Sequence, residues 1–208
     1  MASLWRRCVR PDADHEVDAS GTSVLIAFID PESELAAGLG GWLRAEADVT
    51  FVSASTLSRW RRALGDPATL EAPRVERWVR SLLRRGGTTR PLHPRVARVI
   101  RALRRHPLDR RATSLERLAA IAGLSSSRFA HVFTESIGIP LRPYLRWLRL
   151  QRAAGALATG STVTQAAYIA GFADAAHLTR TFRRMLGMTP RELIRRAPAS
   201  RELRLTSA

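Results

Sequence analysis

An internal repeat in the C-terminal half limits the possible folds of this chain more than any other feature. The segment IAGL at 121–124 recurs 48 residues later as IAGF at 169–172, and a glycine followed by a proline comes after each copy at a similar distance. Because repeats of this kind reproduce one supersecondary unit, both copies are expected to fold alike. The pattern predicts, in each copy, a short apolar helix, a glycine turn, a second helix and a stop.

In the first copy, Ser114 is a good N-cap for a helix that Gly123 ends in the left-handed conformation. Its apolar face at helical spacing contains Leu115, Leu118, Ala119 and Ala122. Ser125 then caps the second helix of the copy. The second helix is predicted to bury Phe129, Val132, Phe133 and Ser136, and to leave Ser127, Ala130, His131 and Thr134 on the opposite side.

The second copy repeats this arrangement with more basic side chains. Thr162 or Thr164 caps its first helix, Gly171 turns the chain, and Asp174 caps the second helix. The residues predicted to pack inward are Ala166, Ile169, Ala170, Leu178, Phe182 and Met185, and those predicted to face outward are Ala176, Thr179, Arg180 and Arg183. Superposing the copies pairs Ser127 with Ala176, Ala130 with Thr179, His131 with Arg180 and Thr134 with Arg183.

Between the copies, the sequence predicts a long helix that Pro143 opens and Gly160 ends. A helix that packs by one face and offers small polar groups on the other, just after a glycine turn, is typical of a reader of the DNA major groove. If the long helix separates the two readers by one turn of DNA, about 34 Å, both can enter successive major grooves on one face of a duplex.

The basic charge is concentrated in the same half as the repeat. The chain has 34 basic residues, all of them Arg, against 18 acidic ones, and residues 91–208 hold 21 of those Arg with only 6 acids. Arginines near a polyanion release its condensed counterions and so gain affinity entropically. The C-terminal half is therefore expected to bind a polyanion, although charge alone does not distinguish DNA from RNA or anionic lipid.

Residues 93–196 resemble the DNA-binding domain of the AraC/XylS family of transcriptional regulators. Five stretches carry the resemblance in the family's order and spacing: 114–120 (SLERLAA), 123–129 (GLSSSRF), 148–153 (LRLQRA), 171–182 (GFADAAHLTRTF) and 187–190 (GMTP). This set is far more specific than a match to one helix-turn-helix. The resemblance implies a seven-helix domain in which a long linker helix joins two recognition helices.

The resemblance also implies roles for single side chains. Base edges would be contacted by Ser127, Ala130 and His131 from the first recognition helix and by Ala175, Ala176, Thr179 and Arg180 from the second. Arg180 is the best hydrogen-bonding reader among them, and the alanines offer contact with thymine methyl groups. Phosphate contacts are assigned to Ser125, Arg128, Thr134, Arg152, Arg183 and Arg184.

The N-terminal half predicts a small α/β unit. Apolar runs at 23–29 and 48–52 are typical of strands, and apolar residues recur at helical spacing within 32–45 and 75–83. This order favours a right-handed crossover. Its thin core suggests self-association or packing against the other half. The predicted fold class is thus α+β, with residues 1–88 as the α/β unit, 89–198 as an all-α tandem helix-turn-helix domain and 199–208 as a tail.

The sequence offers no pattern typical of an enzyme or a metal site. It has no glycine-rich phosphate loop, no Gly-x-Ser-x-Gly and no paired catalytic carboxylates, and its one cysteine, Cys8, lacks neighbours at metal-ligand spacing. No catalytic residue, metal or cofactor is therefore predicted. Since no apolar run suits a membrane span or a signal peptide, a cytoplasmic, nucleoid-associated bacterial protein is expected.

The predicted function is a sequence-specific transcriptional regulator, an activator, that binds double-stranded DNA. RNA polymerase is a further expected partner, and residues 1–88 are expected to supply homodimerisation or signal input. The alternative is a non-specific architectural DNA-binding protein, because small residues fill many of the reader positions. The sequence specifies neither the operator nor the effector.

Overall fold

The computed structural model describes residues 7–9, 29–33, 36, 49–51, 58, 62 and 92–196. Its contacts divide the chain into two compact units, Met1–Pro91 and Leu92–Ala208. The described part of the first unit contains two short strands, β1 (Arg7–Val9) and β2 (Val49–Phe51), which pair antiparallel with Cys8 opposite Thr50. β2 lies within the strand predicted at 48–52.

The other predictions for the first unit fall almost wholly on residues outside the described ones. This applies to residues 23–28 of the first predicted strand, to most of the helix within 32–45 and to the helix at 75–83. Ile29 itself belongs to no regular element, and a turn follows it in which the Ser33 amide donates to the Asp30 carbonyl at 3.0 Å. The small α/β unit therefore stays a prediction.

Described residues of the second unit form seven helices and no strand, as the family resemblance implied. The helices are α1 (Pro94–Arg105), α2 (Leu115–Ala122), α3 (Ser126–Ile137), α4 (Leu141–Ala158), α5 (Val163–Ala170), α6 (Ala175–Leu186) and α7 (Pro190–Arg196). The predicted caps hold, since Ser114, Ser125 and Asp174 each accept a hydrogen bond from the first turn of their helix.

The long helix α4 begins two residues before the predicted start at Pro143. Pro143 is the third residue of the helix, where a missing N–H costs no intrahelical hydrogen bond because the first four amides have no partner in the helix. At the other end the helix is capped by Thr159, and Gly160 takes a φ of 93°. The predicted stop at Gly160 is thus confirmed.

Two separate hydrophobic cores share α4. Its first half contributes Tyr144, Leu145 and Leu148 to a core with α1, α2 and α3, and its second half contributes Leu150, Ala153 and Leu157 to a core with α5 and α6. An α-helix of 18 residues is about 27 Å long. One continuous helix therefore belongs to both helix-turn-helix units, and its length sets the distance between them.

One core prediction was wrong. Ile169 is 48% exposed, and the buried face of α5 consists of Ala166, Ala167 and Ala170. At about 100° per residue these three alanines define a narrow stripe, and Ile169 lies about 110° round the helix from its centre. The neighbouring Tyr168 is exposed as well.

Candidate nucleic-acid interface

The second helix of the first copy, α3, is held by one aromatic face. Phe129 and Phe133 are fully buried with ring centroids 5.7 Å apart, and Phe133 meets Tyr144 of α4 edge-on at 5.2 Å. Ser125 fixes the start of the helix by accepting from the Arg128 amide at 3.3 Å. Burying two phenylalanines contributes several kcal/mol, roughly 2 to 3 each, so the orientation of α3 is well defined.

The opposite side of α3 carries the predicted readers. Ser127, Arg128, His131 and Thr134 are exposed there, and Ala130 is half-buried. The Thr134 hydroxyl donates to the Ala130 carbonyl at 3.0 Å, which leaves its oxygen free to accept a second hydrogen bond. The exposed side of α3 thus combines small and hydroxyl-bearing side chains with one guanidinium, that of Arg128, and one imidazole, that of His131.

The second helix of the second copy, α6, is built in the same way. Leu178 and Phe182 are fully buried, and Asp174 caps the helix by accepting from the His177 amide at 2.6 Å. The imidazole of His177 is exposed and meets the buried ring of Phe172 edge-on, with centroids 5.2 Å apart. The glycine turn and the first turn of α6 are therefore packed together.

The outward side of α6 is more basic than that of α3. Ala176, Arg180, Arg183 and Arg184 are exposed, and Ala175 and Thr179 are half-buried. The Thr179 hydroxyl donates to the Ala175 carbonyl at 2.7 Å. Three guanidinium groups on α6 face solvent where α3 offers Arg128, so α6 provides the stronger attraction for a polyanion.

Burial repeats between the copies position by position. Ser127 and Ala176 are both exposed, Ala130 and Thr179 are both half-buried, and the next two pairs, His131 with Arg180 and Thr134 with Arg183, are exposed in both copies. The pairing made from the sequence therefore joins positions with equivalent surroundings. Two helices that read different bases would need equally exposed positions with different side chains at them.

Arg152, assigned to a phosphate from the sequence, is engaged inside the domain. Its guanidinium donates to the carbonyls of His106 at 2.9 Å and Leu103 at 3.1 Å, at the C-terminal end of α1. Partial burial lowers the pKa of Arg152, although a guanidinium stays charged at any ordinary pH. Arg152 thus donates to carbonyls at the end of α1 that have no hydrogen-bond partner within the helix. We therefore do not propose Arg152 as a phosphate contact.

Two further arginines with structural roles were missed by sequence reasoning. Arg149 donates from Nε to the Leu108 carbonyl at 3.1 Å and from Nη2 to the Thr113 hydroxyl at 2.9 Å. Arg95 donates to the Gly123 carbonyl in the turn of the first copy at 2.5 Å. Arg149 lies three residues before Arg152 on a helix with an apolar stripe, and this spacing was the signal in the sequence that both face the same side. The hydrogen-bond partners of the two arginines lie more than 35 residues away in sequence, so the sequence did not identify them.

Residues 118–196 match the family model described as a helix-turn-helix domain, and this range contains both glycine turns and both second helices. The chain carries an AraC-type helix-turn-helix domain. The AraC-type domain contains all seven predicted base-reading positions, which lie on α3 and α6, the second helix of each unit.

Curated relatives of the AraC-type domain are transcriptional regulators. The HTH-type transcriptional regulator RipA of Corynebacterium glutamicum is 37% identical over 98 residues, which cover 47% of this chain and 29% of RipA. An uncharacterized HTH-type transcriptional regulator of Staphylococcus aureus is 34% identical over 90 residues, 43% of this chain and 12% of the relative. The chain therefore spans less than a third of the length of these relatives.

Solved structures also align with about half of this chain. A transcriptional regulator from Chromobacterium violaceum, described as an AraC-type DNA-binding domain-containing protein, is 24% identical with a TM-score of 0.45, covering 49% of this chain and 90% of that one. The C-terminal domain of AraT, a response regulator from Geobacillus stearothermophilus, is 21% identical with a TM-score of 0.47, covering 56% and 93%.

Two other kinds of site are absent from the described part of the chain. Among those residues, no group of three or more His, Cys, Asp or Glu is placed to hold a metal ion. None of the described helices is both long enough and apolar enough to cross a membrane.

Proposed function

We propose that this chain is a sequence-specific DNA-binding transcriptional regulator that inserts α3 and α6 into successive major grooves of one duplex. The observation that carries the proposal is a pair of equivalent helices joined by one continuous linker helix. Each is anchored by a buried face that includes phenylalanine, and each leaves matching positions exposed. The relatives named as transcriptional regulators support the same reading. An α-helix fits the major groove, where every base pair has a distinct pattern of donors and acceptors.

The proposed base contacts are those on the exposed sides of the two helices. They comprise Ser127, Ala130 and His131 of α3 and Ala175, Ala176, Thr179 and Arg180 of α6. Arg180 supplies the main hydrogen-bonding contact, since a guanidinium pairs bidentately with guanine. The small residues allow the backbone of each helix to approach the base edges and their methyl groups closely.

The proposed phosphate contacts flank these readers. They are Ser125, Arg128 and Thr134 around α3, and Arg183 and Arg184 near the end of α6. Such contacts fix register and orientation without selecting sequence. Their number predicts a binding constant that falls steeply with salt.

Around this domain we further propose an activator that contacts RNA polymerase and works in the cytoplasm on the bacterial nucleoid. Residues 1–88 supply homodimerisation or signal input, 89–198 bind DNA and 199–208 form a tail. Transcription from a promoter carrying the selected site, measured with and without the protein, tests activation. Sedimentation of the full chain tests dimerisation.

Selection from random duplexes followed by salt titration tests DNA recognition. A regulator enriches a bipartite sequence and binds it about a thousandfold or more tightly than scrambled DNA at physiological salt. Equal affinity for selected and scrambled duplexes at every salt concentration would favour the architectural alternative, which the alanines among the readers make a specific competitor.

A further inference from the structure

The segment between α1 and α2, residues 106–113, contacts both halves of the domain, and we call it the strut. Leu108 is fully buried in the core of the first helix-turn-helix unit. The Leu108 carbonyl lies beside Gly171, the turn residue of the second unit, so closely that a Cβ on Gly171 would overlap it. The same carbonyl accepts a hydrogen bond from Arg149 of α4 at 3.1 Å.

Arginines of α4 hold the strut at both of its ends. At one end, Arg152 donates to the His106 carbonyl at 2.9 Å. At the other, Arg149 donates to the Thr113 hydroxyl at 2.9 Å, and that hydroxyl donates to the Asp109 carbonyl at 2.7 Å. Burial lowers the pKa of Arg149, and Asp109 partly offsets the effect by its charge. The two Arg149 bonds are partly buried and have a charged donor, and such charge-assisted hydrogen bonds are roughly twice as strong as neutral ones.

The strut provides a second connection between the two cores. The cores are separate clusters that both include residues of α4, and a single helix between them can bend and twist like a rod. The strut runs from the first core across α4 to the turn of the second unit. A rod braced at a second point resists the rotation that the rod alone permits.

We propose that the strut, tied to α4 by Arg149 and Arg152, fixes the orientation of α6 relative to α3 and thereby the half-site spacing that the domain accepts. The part of this inference that concerns DNA rests on the proposed function. The part that concerns orientation does not, and it can be measured on the protein alone.

Spin labels on the two recognition helices test the orientation without DNA. Cys8, the chain's one cysteine, is replaced by Ser, and exposed Ser127 and Ala176 are changed to Cys and labelled. We expect a narrow distance distribution for this parent and a broader or shifted one after Arg149→Met, which removes two hydrogen bonds at similar side-chain length. An unchanged distribution would overturn the proposal.

Two further variants distinguish loss of the strut from a simple loss of charge and from misfolding. Arg146→Met removes the same charge from an exposed position of α4, and the parent distribution should persist in it. Thr113→Val removes one of the two hydrogen bonds by which Arg149 holds the strut, and it takes the place of Arg149→Met if that variant fails to fold by circular dichroism. Broadening in Thr113→Val supports the strut, whereas an unchanged distribution in Thr113→Val or equal broadening in Arg146→Met contradicts it.

A spacing series tests the consequence for DNA. The bipartite duplex selected with the unaltered chain is compared with duplexes whose half-sites are moved by one and two base pairs. Loss of simultaneous engagement should cost the unaltered chain about a hundredfold in affinity, and Arg149→Met should reduce that penalty to about tenfold or less. Arg146→Met should keep the same spacing penalty as the unaltered chain. Selection without any enriched sequence refutes the proposed function, while an enriched site with identical spacing profiles refutes the strut alone.

Discussion

Arginine has two distinct roles in residues 92–196. Arg149 and Arg152 are partly buried and bind backbone carbonyls of the strut and of α1, whereas Arg180, Arg183 and Arg184 are exposed on α6. Composition counts each of these arginines as one positive charge. Only the exposed arginines, however, can exchange bound water for a phosphate or a guanine. The net charge of the chain therefore overstates the number of cations available to DNA.

Substituting Arg180 and Arg184 separates base reading from phosphate binding. Arg180→Ala should cost about 1 to 3 kcal/mol on the selected site and relax its preference at one base pair, because a bidentate base contact is lost. Arg184→Ala should weaken all sequences alike. Titrations of selected and scrambled duplexes measure both effects, and equal losses on the two duplexes for Arg180→Ala would remove it from the base readers.

Gly171 and Gly123 form a matched pair for a test of stability. Both have a positive φ, 78° and 64°, but only a Cβ at Gly171 would overlap backbone. Gly123→Ala should cost about 1 to 2 kcal/mol from the left-handed conformation alone. Gly171→Ala should cost a further 1 to 3 kcal/mol or so from overpacking against the Leu108 carbonyl. Urea unfolding measures the difference, and equal losses would contradict the contact.

The exposed sides of α3 and α6 were predictable from the sequence, and the roles of single arginines were not. Helical periodicity places Ser127 and Arg180 opposite buried aromatic residues, because only local geometry is involved. The partner carbonyls of Arg152 lie 46 and 49 residues away, so periodicity gives no information about them. These hydrogen bonds join α4 to the end of α1 because both helices contribute to the first core, and the sequence does not show which distant segments meet there.

Among the helices, α5 shows how a cap resolves an ambiguous start. Thr162 and Thr164 were equal candidates, and the structure selects Thr162 through a capping box with Gln165. The Thr162 hydroxyl accepts from the Gln165 amide at 3.2 Å, and the Gln165 side-chain oxygen accepts from the Thr162 amide at 2.8 Å. A three-residue spacing from Thr to Gln marks this box in a sequence.

The capping box yields a prediction with an internal control. Thr162→Ala should lower the free energy of unfolding by about 1 kcal/mol, since the first turn of α5 loses an acceptor. Thr164→Ala, at the exposed second residue of the same helix, should change it by less than about 0.5 kcal/mol. Thermal unfolding of both variants decides the matter, and a larger effect for Thr164 would reverse the assignment.

Salt dependence reports how many cations of the full chain reach phosphate. If Arg128 and Arg183 each neutralise one phosphate, replacing either by Ala should make the negative slope of log K against log salt shallower by about 0.9. Arg152→Met should leave that slope nearly unchanged, because its guanidinium already binds carbonyls within the domain. A fall in slope for Arg152→Met would return it to the phosphate contacts.

The uneven placement of arginine on α3 and α6 also has a consequence in time. At close range the attraction depends on charges within about a Debye length, roughly 8 to 10 Å, of a phosphate. α6 has three exposed guanidinium groups and α3 has Arg128. If both helices bind DNA as proposed, we expect α6 to stay bound longer, while α3 releases and tests the few base pairs within its reach.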